Sequence, residues 1–324
     1  MTSIMDNTPW TIPVIDLSIL PSDFYSNGTQ ENIPKSLFTA LRKACEQVGF
    51  FQIINHGIPE NLIENLDSAA RRFFAETKEV KERGVSSLLY RGYVVGGKDA
   101  VSPTPESLIF SNVHRSNSIA DICDKVWPQG NPQFRETVES YASKMIELSN
   151  LVLKLCLSCF EVDLGRYMST FENKCEGWLN MNNYSPDGVQ RIYRAHTDKS
   201  WITILHQDTV GGLEVLTPKG KWAPVEYKRG SLVVNVGDIF QMWSNRVYRS
   251  SEHRVIYGGQ RTRQSFAFFY LFQLDMEISV AKELVDEKHP EYYKPTLFGE
   301  FEKHGRDHGL ASIGPPKAFE RETW

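Results

Sequence analysis

Much of what would place this chain of 324 residues in a familiar class is missing from it. No apolar run approaches the ~20 residues a helix needs to cross a bilayer. The first ten residues, Met1 to Trp10, are polar and carry no apolar signal core, so a cytoplasmic location is expected. Lysine and arginine are scattered rather than gathered into a polybasic run, and 36 of them against 40 acidic residues leave a net charge of −4. That balance offers no electrostatic ground for a nucleic-acid or membrane partner. Cysteine is scarce: five in all, an odd number that fits reduced thiols better than a disulfide framework. Cys156 and Cys159 do form a CxxC, but its setting, LVLKLCLSCF, is apolar and helical in pattern, so buried core thiols are expected. There is no internal repeat and no low-complexity tract.

What is present describes a globular chain with ample core, 41% hydrophobic and 23% charged. The first half reads mainly helical after a short strand, TIPVIDLS. Leu37, Leu41, Ala44, Cys45 and Val48 recur at helical spacing until Gly49. FFQIINHGIP then reads as a strand and turn, and a second helix from Asn61 carries Leu62, Leu66, Ala69 and Phe73 on one face. Residues 86–112 contain Gly92, Gly96, Gly97, Pro103 and Pro105 and are expected to be largely loop. The longest helix spans 134–159. After Glu176 the apolar period changes to two, with short strands separated by turn signals such as Gly211-Gly212 and Gly258-Gly259. The fold class is therefore mainly β with flanking helices, a sandwich or jelly-roll barrel. Residues 1–324 are expected to form a single unit: a mostly helical part to 175, a jelly-roll core from 176 to 275, and a helix and loop segment to 324.

The chemistry concentrates at His196 and Asp198, answered by a lone His253. Residues two apart on an extended strand share a face, so His196 and Asp198 can hold one ion together. A third imidazole from a distant strand completes two histidines and a carboxylate on one side of a metal. Such a facial triad leaves positions open and suits non-haem Fe(II). Ten residues beyond His253, Arg263 and Ser265 again share a face. A permanently charged, planar guanidinium beside a hydroxyl is a good receptor for a carboxylate. A second His-x-Asp, His206-Gln207-Asp208, could offer the same ligand types.

These segments resemble the isopenicillin N synthase-like branch of the Fe(II)/2-oxoglutarate-dependent dioxygenases. The resemblance runs from IPVIDLS and GFFQIINHGIP through RAHTDKSWITILHQDTVGGLEVL and KRGSLVVNVGDIFQMWSN to YRSSEHRVIYGGQRTRQSFAFFY. It implies a double-stranded β-helix, a jelly-roll core. It makes His196, Asp198 and His253 the metal ligands and Arg263 with Ser265 the clamp for the far carboxylate of 2-oxoglutarate. It places His206 at the end of the following strand, near the barrel wall. It also implies that Asn182 and Tyr184 support the co-substrate, although Ser185 stands where the family usually has a proline. Arg91 and Tyr93, in YRGYV, match a region where relatives meet a substrate carboxylate, and the loop around them is expected to cover the iron.

The implied reaction uses Fe(II), 2-oxoglutarate and O2, with ascorbate as a candidate reductant, to hydroxylate, desaturate or cyclise a small molecule. Specialised metabolism or an amino-acid-derived substrate is expected, with the enzyme a monomer or weak homo-oligomer. An oxidase of the same fold that does not consume 2-oxoglutarate is the alternative, since Arg-x-Ser alone does not separate the two. A silent binding protein is disfavoured by the intact ligand set. His56, His114, His289, His304 and His308 read as structural or solvated. Trp201, Phe240, Trp243 and Phe269 are candidates to line the cavity, though aromatics at strand spacing are more often core.

Overall fold

The computed structural model describes residues 10–21, 24, 31, 33–87, 91–95, 105–114, 117–186, 188–307 and 314–321. Its strands are β1 (Val14–Asp16), β2 (Phe50–Ile54), β3 (Gly92–Val94), β4 (Glu106–Phe110), β5 (Cys175–Tyr184), β6 (Arg191–His196) and β7 (Ile202–Gln207). They continue with β8 (Leu213–Leu216), β9 (Trp222–Pro224), β10 (Ser231–Val236), β11 (His253–Tyr257), β12 (Arg263–Phe272), β13 (Glu277–Ile278) and β14 (Thr296–Leu297). The α-helices are α1 (Lys35–Lys43), α2 (Glu60–Ala75), α3 (Lys78–Glu82), α4 (Ser118–Val126), α5 (Pro132–Leu157), α6 (Leu164–Lys174), α7 (Asp238–Trp243) and α8 (Phe298–Asp307).

Eight strands form a major sheet in the order β1-β2-β10-β7-β12-β5-β4-β3, and four form a minor sheet, β6-β11-β8-β9. Period-two patterning sorts the side chains between two environments. On β5, Leu179 and Met181 enter the helix-facing core, while Asn180, Asn182 and Tyr184 face a cavity between the sheets. On β12, Phe266 and Phe268 take the helix side, and Arg263, Ser265, Ala267 and Phe269 the inner side. The jelly-roll reading therefore holds, because one strand face is written apolar for helices and the other polar for a site.

The outer face of the major sheet is covered chiefly by α5. Asn131 caps that helix by accepting from the Phe134 amide, and Pro132 opens its first turn. Val138, Tyr141, Met145, Leu148, Val152 and Leu155 form its buried stripe. Each large apolar side chain buried this way contributes roughly 1.5–3 kcal/mol. α1 runs into one π-helical turn, Ala44–Val48, before Gly49 stops it at φ 69°. All five cysteines are free and buried, and Cys45 and Cys156 pack with their sulfurs 3.9 Å apart. Among the described residues no helix is long and apolar enough to cross a membrane.

One expectation changes. The described residues of 86–112 are not mainly loop: β3 and β4 form a hairpin that joins β5, with Ser107 opposite Asn182. Its glycines and prolines masked the short alternation of Glu106–Phe110; Gly96, Gly97 and Pro103 lie outside the described residues. Among the described residues the part before residue 175 carries the helices α1 to α6 and also supplies four of the eight strands of the major sheet. Trp201, Phe240 and Trp243 pack with Phe171 and Phe272 in the helix-side core, the commoner place for aromatics at strand spacing, and of the four aromatics only Phe269 lines the cavity.

Candidate active site

The minor sheet aims the two imidazoles. His196 ends β6, His253 begins β11, and the two are paired. Three residues earlier Tyr193 is paired with Val255, so Arg194 and Ala195 stand opposite the single residue Arg254. This β-bulge matters because strict alternation would put Tyr193 and His196 on opposite faces. With the extra residue both line the same cavity. The ring centroids of His196 and His253 lie 4.3 Å apart.

Asp198 is not on the strand with His196, as the spacing suggested, but in the loop that crosses from the minor to the major sheet. Its carbonyl accepts from the Asp238 amide at 2.7 Å, and Asn235 Nδ2 donates to its Oδ2 at 2.8 Å. Gly237 lets this loop approach α7, since a Cβ there would lie 2.0 Å from the Ser200 carbonyl oxygen. Asp198 Oδ1 is left 3.7 Å from His196 Nε2 and 3.6 Å from His253 Nε2.

Each imidazole is held by its other nitrogen. His196 Nδ1 lies 3.0 Å from the Arg194 carbonyl oxygen, and His253 Nδ1 lies 3.2 Å from that of Ser251. An Nδ1–H donated there leaves Nε2 with a free lone pair, the arrangement a metal requires. Packing away from water, and then the neighbouring His253, holds His196 down at about 4, so it is neutral at neutral pH. Burial pushes Asp198 up, but His253, His196 and the Asn235 amide outweigh it and keep the carboxyl below its usual range. Among the described residues, this is the only group of three or more His, Cys, Asp or Glu whose ligand atoms all lie within 4.8 Å of one another. Two neutral imidazoles and one carboxylate fit the Fe(II) facial triad.

The competing His206 and Asp208 are excluded by the same alternation. Thr203 and Leu205 of β7 face the metal cavity, whereas His206 stacks on Phe266 and lines an outer cavity beside His56 and α2. Asp208 is engaged by the amides of Gln264 and Val210. His56 accepts from the Ile58 amide within its turn, and His289 pairs with Asp286 at the surface. His308 lies outside the described residues.

The metal cavity has a volume of about 400 Å³. Arg263 lines it and is only 2% exposed. Its Nη1 donates to Ser265 Oγ at 3.1 Å and its Nε to the Gly211 carbonyl, while the guanidinium carbon lies 4.6 Å from the centre of the Tyr184 ring. Ser185 has therefore not turned Tyr184 away. Asn182 accepts from Ser107 Oγ at 2.7 Å. Among the described residues no carboxylate forms an ion pair with Arg263.

Arg91 and Tyr93 do not line this cavity. Arg91 pairs with Asp121 at 2.6 Å, and Tyr93 is buried beside Phe73, donating to Glu106 at 2.7 Å. The hairpin register points Tyr93 into the helical layer. Val94, Pro105, Ser107 and Ile109 take the place at the cavity instead. Sequence reading missed Asn235, though a lone amide within SLVVNV was a signal. It also missed Phe50, Tyr193 and Leu205, whose apolar or aromatic character looked like ordinary core.

Comparison with known proteins agrees with this geometry. The model of the 2OG-Fe(II) oxygenase superfamily matches residues 175–271, and that of the N-terminal region of the non-haem dioxygenase in morphine synthesis matches residues 12–130. A 2-oxoglutarate-dependent dioxygenase DAO of Oryza sativa is 32% identical over 297 residues, covering 90% of this chain and 93% of its own. Gibberellin 2-beta-dioxygenase 7 of Arabidopsis thaliana is 30% identical over 324 residues, covering 99% of this chain and 90% of its own. The crystal structure of the rice dioxygenase for auxin oxidation superposes with a TM-score of 0.79 at 29% identity, over 96% of this chain and 100% of that one. JOX2 in complex with 2OG, Fe and JA gives a TM-score of 0.77 at 25% identity, over 97% of this chain and 90% of that one. Relatives this similar over nearly the full length, carrying the same chemistry as the triad requires, place the chain in the Fe(II)- and 2-oxoglutarate-dependent oxygenases, as a dioxygenase acting on a small molecule.

Proposed function

We propose that this enzyme hydroxylates a small, largely apolar molecule of specialised metabolism, with 2-oxoglutarate held between the triad and Arg263. The observation that carries the placement of the co-substrate is Arg263 itself. A guanidinium this deeply buried, with no acidic partner among the described residues, is costly, and an anion entering the cavity removes that cost. Arg263 and Ser265 would take the distal carboxylate through charge-assisted bonds. The Tyr184 ring packs against the guanidinium, and Asn182, fixed by Ser107, would stand beside the co-substrate.

Iron bound by His196, Asp198 and His253 would supply the open positions where 2-oxoglutarate and oxygen react. The chain contributes orientation and exclusion of water. The carbonyls of Arg194 and Ser251 hold the imidazole tautomers, and Asn235 keeps Asp198 Oδ1 turned inward. Phe50, Val94, Ile109 and Phe269 wall the remaining space with apolar surface, which supports an apolar substrate. The Arg91–Asp121 pair removes the support for an amino-acid-like carboxylate contact there. Relatives named for auxin, gibberellin and jasmonate chemistry support a small molecule. The hairpin β3–β4 would cover the metal, since Val94 and Pro105 stand at the cavity. The five free buried thiols and the balanced charge support a cytoplasmic monomer or weak homo-oligomer without a nucleic-acid partner.

The test is succinate release from 2-oxoglutarate by iron-loaded enzyme with panels of small molecules. One panel member should yield a product heavier by one oxygen atom, in step with succinate. Turnover of a substrate without any 2-oxoglutarate consumption would overturn the reading.

A further inference from the structure

The turn that carries Asp198 is gripped from behind by the C-terminal part of the chain. Thr197, between the two ligands, is 5% exposed. Its Oγ1 donates to Asp238 Oδ2 at 3.1 Å and accepts from the Gly314 amide at 2.8 Å. On the other side of Asp198, Lys199 Nζ lies 3.3 Å from Glu302 Oε2 on α8, with these side chains 14% and 6% exposed. Lys199 also packs along α8 over Gly305, where an added Cβ would lie 2.3 Å from Nζ, and its ammonium sits 6.0 Å from the centre of the Phe301 ring. The residues on both sides of Asp198 thus anchor to the C-terminal segment, while Asp198 itself points into the metal cavity.

We propose that α8 and Gly314 form a positioning element for the metal ligands, so that docking of this segment and occupancy of the metal site stabilise each other. Thr197, Lys199 and Glu302 do not line the cavity and are positioning residues. The physical basis is leverage: a turn fixed on both flanks cannot rotate without moving Asp198 Oδ1. The Lys199–Glu302 pair is largely desolvated, unlike ordinary surface pairs, so removing one partner strands a buried charge. Coupling between two binding events is reciprocal, which allows a test from either end. The inference goes beyond the proposed function but rests on the metal assignment within it.

The probe is Co(II), titrated by calorimetry into metal-free full-length protein, together with hydrogen exchange of α8 with and without Co(II). Glu302→Gln and Thr197→Val should each weaken Co(II) binding by roughly tenfold, within the range expected when a partner of a metal ligand is removed. Thr197→Ser, which keeps the hydroxyl, should restore binding. In the parent protein, Co(II) should slow exchange of the α8 amides. Folded Glu302→Gln and Thr197→Val proteins binding Co(II) as tightly as the parent would overturn the proposal. If those variants do not fold, α8 exchange in the parent decides, and rates unmoved by Co(II) overturn it. Asp198→Ala is the control: undiminished Co(II) binding there would show that the metal assignment itself had failed, taking this inference with it.

Discussion

Asn235 donates its amide to Asp198 Oδ2 at 2.8 Å, so Oδ1 is the oxygen that turns toward both imidazoles. An amide on the neighbouring strand β10 thereby decides which oxygen meets the metal. Asn235→Leu should free the carboxylate to rotate and weaken metal binding by roughly 10–100-fold. Equilibrium titration with Mn(II) or Co(II) would check this; an affinity within about twofold of the parent, by the same measure, would remove Asn235 from the site.

Arg263→Leu should act in two directions. Losing a bond to a charged group costs on the order of 1.5–3 kcal/mol net, so the KM for 2-oxoglutarate should rise at least about tenfold, at roughly 1.4 kcal/mol per decade. Without co-substrate, the same change removes a buried charge with no acidic partner among the described residues, and the protein should melt at the same or a higher temperature. Thermal unfolding with and without 2-oxoglutarate reads both effects. An unchanged KM, or equal thermal protection of parent and variant by 2-oxoglutarate, would count against the clamp.

Asp238 gives a pH signature in the metal-free protein. Burial, aided by the charge of Asp198, pushes its carboxyl up from the ordinary 3.8 to about 7. A raised folded-state value means that the protonated form is favoured by folding. That contribution is complete below about 3.8 and is lost as pH rises through about 7. Asp238→Asn should therefore gain stability relative to the parent between pH 4 and pH 8, by a few kcal/mol at most at roughly 1.4 kcal/mol per unit. Urea unfolding at both pH values in the presence of a chelator measures the difference. Parallel stability curves for the two proteins would refute the assignment.

Gly237→Ala should destabilise the fold and loosen the metal site together. The added methyl would meet the Ser200 carbonyl, displacing the loop that holds Asp198. Overpacking of this kind costs roughly 1–3 kcal/mol. A variant with both parental melting temperature and parental metal affinity would mean that the loop has room the geometry does not reveal.

Residue types and their order along the chain determined the ligand set, the pairing of Arg263 with Ser265 on one strand face, the jelly-roll class and the stripe of α5. These depend on local side-chain chemistry and on periods of two and 3.6, which short windows carry. Tertiary structure decided the rest. Spacing alone put His196 and Asp198 on one strand. A bulge opposite Arg254 is what turns His196 inward, and Asp198 sits beyond the strand end, held by Asn235 and the Asp238 amide. His206 offered the same chemistry as His196, and only its place on the outer face of β7 excludes it. Arg91 was an equally good cation on paper, but an aspartate 30 residues away in sequence claims it. The short alternation in β4 could not outweigh the surrounding glycines and prolines until β5 offered it an edge. Side-chain chemistry is local and can be read from one residue, whereas the face a residue takes depends on strand pairings between distant parts of the chain.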